Sequence, residues 1–352
     1  MLQVVERSPM LAGSVLALAS AIAFGLTTPF VARAGVDVGP LTTAALLYGG
    51  AAATAIVLRP ITARAGRSFV RTDASRIAMV ALLGSALAPS LFAWGVQRAG
   101  ATATSLTLNL EAVFTVLLAR AVHHEPIGRR AAMAVVAMSV GGVTLALDRV
   151  TSFGLVGLLA VAGATLCWAG DNTLTRGLSD NDPLEVVAAK GAIGATITGA
   201  LALAWHEPQP SMPAALALLA CGATGYGLSL RLYLLAQRRI GAARTGSIFA
   251  VGPFVGAAVA WTLGDRDLGV ATIAGALAFG LGVYLHVTEK HGHRHTHQPM
   301  THDHAHRHDD GHHDHVHDPP FLGEHSHAHA HGRLEHDHPH APDLHHDHEH
   351  PS

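Results

Sequence analysis

The chain has 352 residues, of which 49% are hydrophobic and 14% charged, with a mean hydropathy of +0.32 and a formal net charge of −2. No basic surface points to nucleic acid. The two cysteines, Cys167 and Cys221, both fall in apolar runs, which excludes a disulfide framework and a cysteine-based zinc site. The averages conceal two unlike parts: residues 10–288 are rich in Ala, Gly, Leu and Val, while residues 291–352 hold 23 of the 27 histidines and almost no large apolar side chain.

Ten apolar segments follow in order, at about 10–32, 40–58, 77–97, 101–121, 131–147, 154–174, 184–205, 213–236, 243–263 and 268–287. Most are long enough for a helix to cross a hydrocarbon layer of ~30 Å. Helix is the expected state, because a lone segment in lipid must satisfy its own backbone. The first run is long and is preceded by a single basic residue, Arg7, which favours a retained span over a cleaved signal.

Basic residues orient these spans. With the N-terminus in the cytoplasm, the inside connections carry twelve arginines, among them Arg59, Arg64, Arg67, Arg71 and Arg76, and the outside ones four: Arg33, Arg98, Arg149 and Arg266. Both termini are therefore expected in the cytoplasm, with the chain multi-pass in the cell's inner (plasma) membrane.

The stretch from Gly100 to Glu125 has a relative that begins 141 residues later at Gly241. At that single offset Gly100 meets Gly241, Thr104 meets Thr245, Ala119 meets Ala260, Gly128 meets Gly269 and Gly141 meets Gly282. Backwards, Arg98 meets Arg239, Leu91 meets Leu232 and Gly84 meets Gly225. This is an internal duplication. Five spans per copy is an odd number, so the second copy is expected upside down relative to the first, as in many transporters. The expected fold is an all-α polytopic membrane protein with ten transmembrane helices in two inverted five-helix repeats, 10–147 and 154–288, followed by a disordered tail, 289–352.

These residues resemble the drug/metabolite transporter superfamily and, within it, the EamA-type members. The likeness rests on the five-plus-five duplication, on GAARTGSIFAVGPFVGAAVAWTLGD at Gly241–Asp265, on the following span ending GLGVYLH, and on Trp168-Ala169 in the sixth span. The first copy departs from the pattern, with Glu111-Ala112 where Glu-Pro is usual and His124-Glu125 where Gly-Glu is usual. The resemblance implies a secondary transporter and leaves the cargo open.

Within the spans Glu111 stands out, about ten residues from either end of its segment. A carboxylate there costs several kcal/mol unless paired, hydrated or protonated. Thr104, Thr107 and Thr115 share its helical face, a stripe suited to a wet cavity, although a carboxylate hydrogen-bonded between helices is the other reading. Burial would suit it to proton coupling. In the second copy Glu111 is matched by Gly252, and Gly252, Gly256, Ala260 and Gly264 form a small-residue stripe for close packing. Lys190 and Arg231 are candidate countercharges, each also able to snorkel to the interface. Trp94 and Asn172 complete the candidate pathway. Pro29, Pro89 and Pro253 could open the backbone. No nucleophile with a paired base, phosphate-cradling glycine loop or HExxH helix occurs, so the chain is not read as an enzyme and needs no cofactor.

The tail alternates His-x-His, with eleven Asp and Glu interspersed between 291 and 352. Neutral imidazoles suit divalent Zn, Ni, Co or Cu. The ligand candidates are His302, His304, His306, His308, His312, His313, His315, His317, His325, His327, His329 and His331. Expected partners are thus the lipid bilayer, a small-molecule substrate and metal ions, with a homodimer also allowed. Three functions remain in play: a transporter of a small solute or metabolite, a divalent transition-metal transporter or efflux protein, and a membrane-tethered metal-binding or sensing protein without transport.

Imidazole must be deprotonated to bind metal, and its unperturbed pKa is about 6.5. Affinity of a 291–352 peptide for Zn²⁺ should therefore fall steeply from about pH 7 to pH 5. Titration calorimetry checks this, and pH-independent binding would rule out imidazole ligation.

Overall fold

The structure is a computed structural model that describes residues 9–62, 68–123, 127–148, 153–178, 181–240, 242–265, 269–288, 292–297, 300–306, 325–331 and 334–339. The membrane part begins with two long helices, α1 (Pro9–Ala34) and α2 (Pro40–Leu58). The third rod is composite: α3 (Ala74–Val80), a π-helical segment (Ala81–Leu87) and α4 (Ala88–Ala99). The fourth is broken into α5 (Ala101–Thr107) and α6 (Leu110–His123), and α7 (Arg129–Asp148) closes the first copy.

The second copy repeats this plan. It contains α8 (Phe153–Thr175), α9 (Pro183–Ala204), then α10 (Met212–Cys221), a π segment (Gly222–Leu228) and α11 (Ser229–Ile240). A broken rod follows, α12 (Ala242–Phe249) and α13 (Gly252–Thr262), and then α14 (Val270–Val287). The two π segments, α4 and α11, the starts of α5 and α12, and the starts of α7 and α14 all fall 141 residues apart. The duplication read in side chains is thus also a duplication of backbone irregularities.

Eight helices among the described residues are long and apolar enough to cross a membrane. The ten expected spans differ from these eight at the last two: the ninth is interrupted at Ala250–Val251, and the last is a shorter apolar helix at Val270–Leu285. Large apolar side chains lie exposed along α7 (Val136, Val140, Val143, Leu147) and α14 (Leu277, Leu281), as a lipid-facing surface requires.

Corresponding helices of the two copies pack on one another and run antiparallel. Gly191 and Gly199 of α9 meet Tyr48 and Ala45 of α2, so one chain ascends as the other descends. Likewise Gly275 of α14 meets Leu145 of α7, while Gly282 meets Met138 and Ala134. Small residues permit this approach where no hydrophobic drive acts between helices. The expected stripe on α13 behaves in the same way over most of its length. Gly252 and Gly256 lie against the Ala21 and Gly25 backbone of α1, and Ala260 is buried. Gly264 departs from it: with φ +102° it ends the helix in a left-handed turn and packs against nothing.

Connections sort into two faces of the bundle. At the N-terminal face Glu185, in the first turn of α9, takes an ion pair from Arg59 and hydrogen bonds from Ser68 Oγ (3.2 Å) and Phe69 N (3.3 Å). At the far face Glu207 instead caps α2, accepting from Leu41 N (3.2 Å) and Thr42 N (2.8 Å), as Asp182 caps α9 by accepting from Leu184 N (2.9 Å) and Glu185 N (3.3 Å). Capping carboxylates of this kind satisfy the first N–H groups of a helix and complement its dipole.

Parts of the tail are described as well. Its described parts are strands β1 (Gly292–His297), β2 (Met300–His306), β3 (His325–His331) and β4 (Leu334–Pro339), with β1 antiparallel to β4 and β2 antiparallel to β3. The physical reason lies in the sequence, since His-x-His repeats every second residue, which is the period of a strand.

Candidate functional site

The break in the fourth rod creates the site. Helix α5 stops at Thr107, Leu108 and Asn109 form a turn, and α6 begins at Leu110, which puts Glu111 in the first turn of a half-helix. Asn109 closes the turn by donating from Nδ2 to Leu106 O (3.0 Å). The backbone N–H groups of Asn109, Glu111 and Ala112 are taken up within the turn, by Leu106 O, Leu108 O and Asn109 O, so what the break offers a carboxylate is the positive end of the half-helix dipole. The matching half-helix, α13, starts with Gly252 pressed on Ala21 and carries no charge.

Glu111 is half-buried and accepts a hydrogen bond from Asn172 Nδ2 of α8 (2.7 Å), whose side chain is exposed. The next residue, Asp171, forms an ion pair with Lys190 of α9, and the two side chains are only 4% and 5% exposed. Thr175 Oγ1 donates to the other carboxylate oxygen of Asp171 (3.0 Å). Gly84, in the π segment, makes room for this pair: any side chain there would collide with the Asp171 carboxylate. Its carbonyl accepts from Trp168 Nε1 (3.1 Å), which also approaches the Tyr48 hydroxyl (3.4 Å). π-type turns shift backbone groups out of the regular ladder and recur at functional sites.

Aromatic rings from both copies surround this centre. Phe24 of α1 meets Trp168 and Tyr226 edge-on at centroid distances of 6.3 and 5.8 Å, and lies 5.4 Å from Phe249. Tyr48 and Tyr226 are 5.4 Å apart, and Tyr233 packs on Phe249 at 5.2 Å.

Several sequence-derived candidates come together here and others do not. Glu111, Asn172 and Lys190 share the centre, but Lys190 is the partner of Asp171 and not of Glu111. Thr107, at the end of α5 before the break, is buried and its hydroxyl bonds to Ala103 O (2.8 Å). Thr115, beyond the break on α6, is half-buried. Trp94 lies toward the far face beneath the Arg98 guanidinium, 3.8 Å from its ring. Arg231 makes no ion pair with Glu111 or Asp171 among the described residues. The side chain of His123 and all of His124 and Glu125 lie outside the described residues, as do the tail loop histidines 308, 312, 313, 315 and 317.

Sequence reasoning missed the Asp171–Lys190 pair, although both residues were visible as intramembrane charges, and it missed the tyrosines. Each polar residue was weighed on its own helix, whereas the pairing crosses helices.

Side-chain hydrogen bonds tie the connections of the far face together. Asp265, just beyond α13, accepts from Thr102 N (2.9 Å), and Thr102 Oγ1 donates to its backbone oxygen (3.0 Å). Arg33 donates to Leu263 O, and Gln97 Nε2 to Ala32 O (2.9 Å). At the 141-residue offset the counterparts of Asp265 and Thr102 are His124 and Ala243, so the other face is not built with the same latch.

A bundle of two copies, each with a broken helix, and with a buried charged centre at one of the breaks, has the layout of a transporter-type fold. The chain belongs to the EamA-like transporter family, whose model matches residues 11–147 and 155–288, one match per copy. A curated relative, an uncharacterized transporter of Methanothermobacter thermautotrophicus (strain ATCC 29096 / DSM 1053 / JCM 10044 / NBRC 100330 / Delta H), is 25% identical over 225 residues. That match covers 61% of this chain and 65% of the relative's length. A solved crystal structure, described only as that of a protein, is similar with a TM-score of 0.58 at 16% identity, over 78% of this chain and 96% of its own, a likeness of fold alone.

Removing the cation should expose the cost of the buried pair. Lys190→Met leaves Asp171 uncompensated and should destabilise the protein by about 3–5 kcal/mol, whereas Lys190→Met with Asp171→Leu should recover most of that loss. Thermal unfolding in detergent measures both variants.

Proposed function

We propose that this chain is a ten-span secondary transporter built as an inverted repeat, moving a small solute by alternating access with Glu111 as its coupling carboxylate. The antiparallel packing of α2 on α9 and of α7 on α14 supports the inversion, because corresponding helices of parallel copies would run the same way. The distribution of arginines supports cytoplasmic termini in a plasma membrane. The latch at Asp265 supports a state closed outside and open to the cytoplasm. The observation that carries the reading is the reachable carboxylate at the start of a half-helix, beside an ion pair that is already neutral.

In this scheme, Glu111 exchanges a proton for substrate, and Asn172 holds the carboxylate in place in each state. The aromatic rings wall the path, and the small-residue contacts of α1 with α13 let the two copies rock as rigid units. Asp171 and Lys190 bind α8 to α9 and take no part in the exchange.

A second reading, export of divalent transition metal collected by the tail, is favoured by the strand register. Backbone pairing sets His302 opposite His329, His304 opposite His327 and His306 opposite His325. Such a ladder places histidines in opposed pairs along one ribbon, a layout suited to imidazole ligation. It ranks second because no group of three or more His, Cys, Asp or Glu that could hold a metal ion occurs among the described residues.

The test is Glu111→Gln in membrane vesicles carrying an interior pH dye, with a panel of labelled solutes that includes Zn²⁺. Wild-type uptake should dissipate the imposed proton gradient, and the variant should abolish this at unchanged membrane abundance. Unaltered coupled transport in the variant would refute the role of Glu111, and proton-coupled movement of Zn²⁺ alone would favour the metal reading.

A further inference from the structure

The far face holds a cavity that the charged centre does not use. It is half-open, with a volume of about 240 Å³, and lies between the end of α1, the junction of α4 with α5, and the end of α13. Its floor is apolar: Pro29, Val96 and Ala260 are buried, and Leu263 completes the wall. Two charged residues, Arg33 and Asp265, line the same space.

No ion pair joins these two among the described residues. The Arg33 guanidinium donates to Leu263 O, which uses one of the five N–H donors that such a group carries. Asp265 accepts from Thr102 N through Oδ2 (2.9 Å), and its other carboxylate oxygen has no partner among the described residues. A cation and an anion facing one small cavity, each with unused hydrogen-bonding capacity, match a ligand that carries both signs. A ligand of a single sign would gain one contact and meet repulsion from the other residue.

The surface that continues from the cavity selects among such ligands. Arg33 follows Phe30, Leu26 and Ile22 on one face of α1, and all four side chains are exposed. Trp261, next to Ala260 on α13, is exposed as well. This is an apolar stripe that ends in aromatic rings and a guanidinium, the pattern of a helix leaving the hydrocarbon layer. A free solute has no use for the stripe, whereas a phospholipid uses cavity and stripe together. Its phosphate suits the guanidinium fork, which binds phosphate oxygens in pairs. A primary ammonium beyond the phosphate brings three N–H donors to Asp265. A choline head has no N–H to offer, and a glycerol head carries no cation.

We propose that this cavity binds the headgroup of a zwitterionic phospholipid with a primary amine, of the phosphatidylethanolamine class, with an acyl chain lying along Ile22, Leu26 and Phe30. The site is independent of the role given to Glu111. Its walls come from α1 and α13 on one side and from α4 and α5 on the other, the elements that Asp265–Thr102 and Gln97–Ala32 hold together. A seated headgroup bridges them, and any motion that parts them dismantles the site. The lipid therefore favours the joined arrangement by differential binding.

Purified full-length chain, stripped of lipid in detergent, tests this by titration with dioctanoyl phospholipids under native mass spectrometry. Dioctanoyl phosphatidylethanolamine should bind at least fivefold more tightly than the phosphatidylcholine and the phosphatidylglycerol of the same chain length. Arg33→Gln should erase that preference. Val36→Trp, which fills the mouth of the cavity and leaves both charges in place, should erase it too. Both positions are exposed, and thermal unfolding verifies that the variants stay folded. Equal binding of the three lipids, or a preference that survives either variant, would overturn the inference. Phosphoethanolamine binding as tightly as the lipid would also overturn it, in favour of a soluble zwitterion.

Discussion

A carboxylate inside a hydrocarbon layer has to be solvated by the protein, and the arrangement around Glu111 is the consequence. The neighbouring lysine is already occupied by Asp171, in a buried contact that Gly84 makes possible by having no side chain. Breaking that pair would strand a charge in the interior, so the lysine is held where it is. Glu111 is left with the dipole of a half-helix and a single amide. Those groups stabilise the ion in part and leave room for a proton or a ligand to complete the balance. A fully compensated carboxylate would have no reason to exchange anything.

The duplication explains how such a centre arises. Both copies keep the backbone irregularities: a π segment in the third rod and a break in the fourth, at matching positions. Side chains at those irregularities have diverged. One half-helix begins with Glu111, whereas the other begins with Gly252 packed on α1. The ends have diverged too, with Asp265 fastening one face to Thr102 and His124 standing at the matching position of the other. Symmetry supplies a scaffold with two equivalent packings, and asymmetry supplies a preference between them. Two states separated by a few kcal/mol are what a ligand can shift by differential binding.

The fold was largely legible in the sequence because its determinants are local or periodic. Apolar runs marked the helices, and the single 141-residue offset marked the repeat. What the sequence did not announce was the break in the fourth rod: no proline in the first copy marks the turn at Leu108–Asn109, and only Pro253 in the second copy hints at one. The centre itself was half legible. Glu111, Asn172 and Lys190 could be found as polar residues in apolar runs, but pairing Lys190 with Asp171 and gathering three tyrosines depends on which helices touch.

The account turns on a carboxylate that can be reached from the N-terminal face while the far face is closed. Glu111→Cys, in a background with Cys167 and Cys221 replaced by alanine, tests this by labelling with a membrane-impermeant maleimide in oriented vesicles free of substrate. Modification only from the side carrying the termini is the expected result. Modification only from the opposite side, or none from either side in a protein that remains folded, would contradict the account.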